Sequence, residues 1–327
     1  MKRIAGILLV AWSLTGASSD SVTAQLVSKG YSVAEIRGGL YWVTDGAYNT
    51  MFLVTTDSVI AIDPLPTLGD KYLRAIREVT DKPVKYLIYS HEHTDHIGGA
   101  SIFGSGLQIV AQKRTAELLE LRHDPRRPVP SVSFEKSYTL ETGGQRLELA
   151  YSGPNHEDGN IFIYAPKQKT LMLVDVVYPG YMPYKNLGIV QDVPGYVQAQ
   201  EDALKYDFDT FVGGHVGRLG TRHDVEVSLE FTKDLYAATV AQLNRLSFPS
   251  FLTAHPGPDK WDLHNQYEKE LVNACSSELT PRWSGRLADT QTYLKDNCWA
   301  MIEAVIVQTP PSLKFDNTSQ KGAPNDR

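Results

Sequence analysis

The chain has 327 residues, 42% hydrophobic and 21% charged, enough for one large domain with an appendage or for two small domains. Lys and Arg number 32 against 38 Asp and Glu, a net charge of −6. An acidic balance of this kind argues against nucleic acid or another polyanion as a partner, because phosphate binding needs a basic face.

Taken in chain order, Lys2 and Arg3 precede an apolar run from Ile4 to Trp12, and Val22-Thr23-Ala24 supplies small residues for cleavage before Gln25. This predicts a secretory leader over 1–24 and a periplasmic or secreted product. The run is too short to span a bilayer, and no other stretch is apolar enough, so membrane insertion is not expected. Leu40–Val43, Met51–Val54 and Val59–Ile62 read as strands separated by turn residues. Thr67–Thr80 predicts a helix with Leu68, Tyr72, Ile76 and Val79 on one face, stopped by Pro83. Val84–Tyr89 reads as a strand, Gly98-Gly99 permits a tight turn, and Ala100 onwards starts a helix. Arg146–Tyr151, Ile161–Tyr164, Leu171–Val174 and Thr210–Val212 read as strands, with a helix over Pro194–Tyr206. Helices follow over Val225–Leu246, Trp261–Cys275 and Leu287–Val307, with a Pro-rich linker over Ser247–Lys260. Cys275 and Cys298 could pair after export or stay as two separate buried thiols. The expected organisation is a leader over 1–24, a catalytic domain over 25–223, a helical extension over 224–307 and a disordered tail over 308–327.

The chemistry gathers in loops directly after strands. His91-Glu92-His93-Thr94-Asp95-His96 follows the strand ending at Tyr89. His91 and His93, two apart, can point the same way, while Asp95 and His96 face elsewhere, so one loop can serve two neighbouring metals. Imidazole nitrogen and carboxylate oxygen suit zinc at about 2.0–2.2 Å. His156 lies in the turn-rich stretch Gly153–Asn160, Asp175 ends an apolar strand where a carboxylate is costly unless paired or metal-bound, and His215 follows Gly213-Gly214.

These residues in this order resemble the metallo-β-lactamase superfamily over roughly residues 40–220. The resemblance implies an α/β fold, a four-layer αββα sandwich, here with a C-terminal helical extension. It implies two divalent metal ions, Zn2+ above all. His91, His93 and His156 would hold the first, Asp95, His96 and His215 the second, and Asp175 would bridge them. Asp63, after the strand Val59–Ile62, would hold the ligand loop from behind, or else cap the turn before Pro64. Two cations about 3.5–4 Å apart can carry a hydroxide and polarise a carbonyl, and Asp95 could relay its proton.

Asp175 also bears on the substrate. True β-lactamases of this superfamily usually carry Cys or Ser there, whereas an Asp is similar to thioesterases, lactonases, alkylsulfatases and phosphodiesterases. The acidic charge and the leader disfavour nucleases. Tyr178, three residues on, resembles the tyrosine of acyl-homoserine-lactone lactonases, placed over the metals to donate to a developing oxyanion; the other reading is a packed phenol. Tyr178–Tyr184 could line an apolar substrate wall, and His123–Pro130 forms either a rim loop or a surface linker. The expected activity is an exported dinuclear zinc hydrolase of a small-molecule lactone or other carboxylic ester. A β-lactamase and a mononuclear iron dioxygenase of persulfide type are the alternatives. The helical end could cap the pocket, pair two subunits as a homodimer, or cover the sandwich.

Overall fold

The computed structural model describes residues 19–308. Most of the expected leader and all of the tail beyond Gln308 lie outside the described residues. The expected cleavage point after Ala24 falls inside a helix, α1 (Ser19–Lys29), and Val22 on it packs against the sandwich core. The chain forms two compact units. Among the described residues, one takes in 19–151, Gly159–Val174 and Tyr206–Arg222; the other takes in Ser152–Asp158, Asp175–Lys205 and 223–308.

The first unit holds two sheets. One runs in chain order through β1 (Ser32–Arg37), β2 (Leu40–Thr44), β3 (Asn49–Val54), β4 (Val59–Ile62), β5 (Val84–Ile88), β6 (Gln108–Gln112) and β7 (Val132–Phe134). Its first four strands pair antiparallel by short connections, and the last four pair parallel through longer crossovers. The other sheet, in the order β12-β11-β10-β9-β8, uses β8 (Ser137–Thr142), β9 (Gln145–Ala150), β10 (Phe162–Ala165), β11 (Thr170–Leu173) and β12 (Thr210–Val212).

Period-two alternation decides what each face buries. Leu40, Trp42, Met51, Leu53, Ile60 and Ile62 meet Leu147, Leu149, Ile163 and Met172 between the sheets. The intervening Val43, Phe52, Val59, Ala61 and Leu87 face the other way, where Tyr72 and Ile76 of α2 (Asp70–Val79) and Leu119 of α4 (Lys113–Arg122) cover them. Every one of these side chains is at most 4% exposed, and each Val, Leu, Ile, Met or Phe among them is worth roughly 1.5–3 kcal/mol relative to exposure.

The expected strands from β2 to β5 and from β9 to β12 are present, and β1, β6, β7 and β8 join them. Ala100 begins only a short 3-10 turn, Ala100–Phe103, rather than a full helix, because Gly104 ends it at φ 70.

The second unit is helical: α5 (Lys185–Ile189), α6 (Val193–Ala203), α7 (from Arg222 to Arg245), α8 (Phe248–Ala254), α9 (Lys260–Trp283) and α10 (Thr290–Val307). The expected linker over 247–260 contains α8. Ser247 caps it by accepting from Ser250 N, and Pro249 sits in its first turn, where a missing N–H costs nothing. α5 is unusual. Asn186, Leu187, Gly188 and Ile189 have φ of 54, 56, 77 and 61°. A left-handed run costs roughly 1–2 kcal/mol per L-residue and persists only where its surroundings impose it. No helix among the described residues is long and apolar enough to cross a membrane.

Cys275 of α9 and Cys298 of α10 form a disulfide with Cα atoms 6.1 Å apart. It closes a loop with a sequence separation of 23 residues, for which chain entropy gives about 3 kcal/mol. Reduction is expected to lower the stability measured by urea unfolding by that amount, and Cys275→Ser/Cys298→Ser should match the reduced protein; an unchanged stability would discard this.

Glu230 of α7 takes Arg282 at 2.7 Å and Arg286 at 2.5 Å. The hydrogen bond from Arg286 leads, against a smaller opposing effect of burial, and the Glu230 carboxyl is held down at about 2, below its ordinary 4.5. The folded pKa is depressed, so the added stability is present above pH 4.5 and lost as pH falls towards 2. Its size is small, because the two side chains are 37% and 41% exposed and solvent screens them. The difference in unfolding midpoint between wild type and Glu230→Gln should shrink across that window; a constant difference would contradict it.

Candidate metal centre

The loop after β5 is fixed before it reaches the first histidine. Asp63, at φ 35° beyond β4, accepts from Ser90 N at 2.7 Å, and Ser90 Oγ lies 2.9 Å from His91 Nδ1. Ile161 N donates to Ser90 O at 3.0 Å. Asp63 thus braces the loop from behind. His93 stands at the N-cap position of the one-turn helix α3 (Thr94–Ile97), and His96 N and Ile97 N donate to His93 O at 3.2 and 3.1 Å. At Gly99 a Cβ would meet Pro64 O at 2.6 Å, so only glycine lets the loop pass the backbone beyond β4.

His91 and His96 are fully buried. The ring of His91 lies 4.6 Å from that of His93 and 4.9 Å from that of His96, and His96 lies 5.1 Å from His215. Asp95, 44% exposed, has Oδ2 3.4 Å from His96 Nε2 and 3.9 Å from His215 Nε2. His215 is anchored through its backbone: Asn49 Nδ2 donates to its carbonyl at 2.7 Å, and Asn49 N to Gly214 O at 2.9 Å. The Tyr48 ring packs on His215 at 4.5 Å and edge-on to His96 at 5.7 Å.

His156 Nε2 lies 3.4 Å from Asp175 Oδ2, both side chains buried. Asn155 Oδ1 accepts from His156 N at 2.7 Å. Asp175 has φ 61°, a left-handed conformation that Asp tolerates better than most residues. Tyr196 of α6 faces it: burial, and then the Asp175 charge, push the Tyr196 phenol far above its ordinary range.

The seven expected ligands fall into two groups. Ligand atoms of His91, His93, His156 and Asp175 lie within 4.8 Å of one another, and so do those of Asp95, His96, Asp175 and His215. Asp175 belongs to both. Nitrogen and carboxylate donors in sets of four are the donor chemistry of zinc and similar divalent ions, and so the residues present fit such metals. A third group, Glu92, His93 and Glu157, also comes together, but Glu92 is committed to arginines.

Tyr178 is 6% exposed, and its hydroxyl sits against Gly188, where a Cβ would collide with it. Met182 is buried as well, so of the expected aromatic wall Tyr184, 45% exposed, and Tyr181 reach solvent. The stretch 123–130 exposes His123, Pro125, Arg126 and Val129 but is anchored from inside. Its Arg127 is buried, with Nη1 2.8 Å from Glu92 Oε2 and Nε 3.0 Å from Asp124 Oδ2, and Arg122 reaches Glu92 Oε1 at 2.8 Å. Sequence reasoning missed this brace, together with Tyr48, Asn49 and Tyr196. Glu92, set between the candidate ligands His91 and His93, was the one visible clue.

Residues 43–277 match the profile of the Metallo-beta-lactamase superfamily. The chain is 33% identical over 213 residues to the 2,4-dinitroanisole O-demethylase subunit alpha of Nocardioides sp. (strain JS1661), across 63% of this chain and 62% of that subunit's length. It is 26% identical over 184 residues to the metallo-beta-lactamase type 2 of Elizabethkingia meningoseptica, across 53% of this chain and 71% of that one. In fold it is similar to the metallo-beta-lactamase from Pontibacter korlensis, with a TM-score of 0.54 at 24% identity over 62% of this chain and 99% of the other.

Proposed function

Because the chain belongs to the metallo-β-lactamase superfamily, whose members are metal-dependent hydrolases, we propose that it is an exported dinuclear zinc hydrolase that opens a lactone or cleaves another carboxylic ester. The observation that carries this reading is the pair of His/Asp groups sharing Asp175. In it, His91, His93 and His156 would hold one ion and Asp95, His96 and His215 the other, with Asp175 available to both. When bound, such ions supply Lewis acidity and a water of lowered pKa.

The chain's own residues do the rest. Asp95 is partly exposed, unlike buried Asp175, and lies beside two imidazoles, so it can orient an attacking water and take its proton. Tyr178, three residues beyond Asp175, is the candidate donor to the oxyanion. Tyr178→Phe should lower kcat while leaving metal content unchanged; unaltered kcat would make it a packing residue.

A second reading is favoured by the O-demethylase relative. It keeps the metal site and takes an electron-poor aryl methyl ether in place of the ester. The β-lactam reading has type 2 β-lactamase relatives behind it and Asp175 against it. The single-iron dioxygenase reading would leave His215 without a part. The test is metal content per chain, with turnover of a lactone, an aryl ester, nitrocefin and 2,4-dinitroanisole. Two zinc ions and lactone or ester turnover that dies on chelation are expected. Activity that survives complete metal removal sinks the proposal, and one iron with no zinc transfers it to the dioxygenase.

A further inference from the structure

The C-terminal helices and the connection between α9 and α10 grip the segment that follows Asp175 at three points. First, Met182 N donates to Ala288 O and Ala288 N to Gly180 O, both at 2.9 Å. Second, Asn297 of α10, wholly buried, accepts from Leu187 N at 2.7 Å and donates from Nδ2 to Pro183 O at 2.9 Å. Third, Gln308, at the end of α10, donates to Gln191 O at 3.0 Å and accepts from Val193 N at 3.1 Å.

The gripped segment contains the left-handed run from Asn186 to Ile189. Leu187 and Ile189 would not choose that conformation, Ile189 least of all because it is β-branched, so an outside group must impose it. Asn297 is placed to be that group, because it holds residues on both sides of the run's entry.

From this run the geometry passes to both candidate ligand loops. Gly188 leaves room for the Tyr178 hydroxyl, and its missing Cβ would also lie 3.4 Å from the Asp175 carbonyl. Just beyond the run, Gln191 N donates to His156 O at 2.9 Å and Asp192 N to Asn155 O at 3.1 Å. Cys298, adjacent to Asn297, ties α10 to α9 through Cys275.

We infer that the C-terminal helices are a clamp that sets where His156 and Asp175 stand, with Asn297 as its principal positioning residue. This rests on reading His156 and Asp175 as metal ligands. A clamp acts on the site by restricting the backbone of its ligands, so its loss loosens metal binding without removing any ligand.

The test uses the full chain loaded with cobalt(II), its visible ligand-field spectrum, and metal retention against a series of chelators. Asn297→Ala is expected to weaken retention by about 10–100-fold, to alter the visible bands, and to lower kcat more than it changes KM. Asn297→Asp, which keeps the acceptor for Leu187 N, should fall between Asn297→Ala and wild type. Gln308→Ala should shift both readouts in the same direction by less. Circular dichroism selects the folded variants, and if Asn297→Ala is not among them the other two carry the test. Unchanged retention and spectrum in the folded variants overturn the clamp. Wild-type cobalt binding that ignores His156→Ala and Asp175→Asn overturns the ligand reading instead, so the two failures are told apart.

Discussion

Asp175→Asn is expected to cost at least about 10³-fold in kcat/KM, equivalent to roughly 4 kcal/mol of transition-state stabilisation, and to leave the chain with fewer than two metals. Position is the reason. Asp175 is the residue common to the two four-membered His/Asp groups, so in the two-metal reading its carboxylate would be the anion available to both cations. An amide keeps the shape and removes the charge. Asparagine also accepts the left-handed φ of 61° seen there, whereas alanine would add backbone strain to the loss of charge. The metal-free variant should therefore be about as stable as the metal-free wild type. Stability should diverge only when zinc is added, because binding to the folded state raises the wild type by mass action. Metal analysis, kcat/KM and melting curves with and without zinc check this together. If the Asp175→Asn variant keeps two metals and full activity, Asp175 is not the shared ligand, and the sharing of Asp175 no longer supports the two-metal reading.

The ligand loop was legible because it is local. Three histidines and an aspartate within six residues seldom gather except around a metal, and the strand before them is largely apolar. His156, Asp175 and His215 could be added because each ends or follows a strand. What escaped depends on partners far along the chain. Arg127 reads as a surface residue, since arginine is seldom buried; Glu92, 35 residues upstream, makes its burial tolerable. The run from Asn186 to Ile189 carries Gly188 as its single conformational hint, and the residue that imposes the geometry, Asn297, lies 110 residues from Leu187. The Pro-rich stretch 247–260 reads as a linker because proline breaks helices, yet Pro249 stands where proline begins one. Strands such as β1 and β8 alternate too weakly, with glutamates and an arginine among their exposed positions, for periodicity to mark them.

The Glu92–Arg127 pair gives the largest expected effect on stability. The two side chains are 5% and 7% exposed, and Arg127 also donates to the Glu92 carbonyl. Burial alone would raise the Glu92 carboxyl; the hydrogen bond from Arg122 and the charges of Arg122 and Arg127 outweigh it and hold the group below the ordinary carboxylate range. A depressed folded pKa means the contribution is present above the ordinary value of 4.5 and is lost as pH falls below it. Arg127→Ala leaves the buried carboxylate to Arg122, which is itself 54% exposed. Breaking a buried pair from one side costs roughly 3–5 kcal/mol. Because Arg122 remains, the lower end applies, about 3 kcal/mol by urea unfolding of the metal-free chain. Removing both charges, as in Glu92→Gln with Arg127→Met, should recover part of that loss, since an uncharged pair of similar volume strands no charge in the interior. The two substitutions therefore should not add, and the deviation measures the coupling. The same variants separate stability from the site. Glu92 lies between His91 and His93, so Arg127→Ala should also weaken metal retention, and the double variant should stay weak there even as its stability returns. Additive losses in stability would mean that the pair acts as two independent packing residues, and metal retention that tracks stability alone would mean that the brace holds the fold and not the ligands.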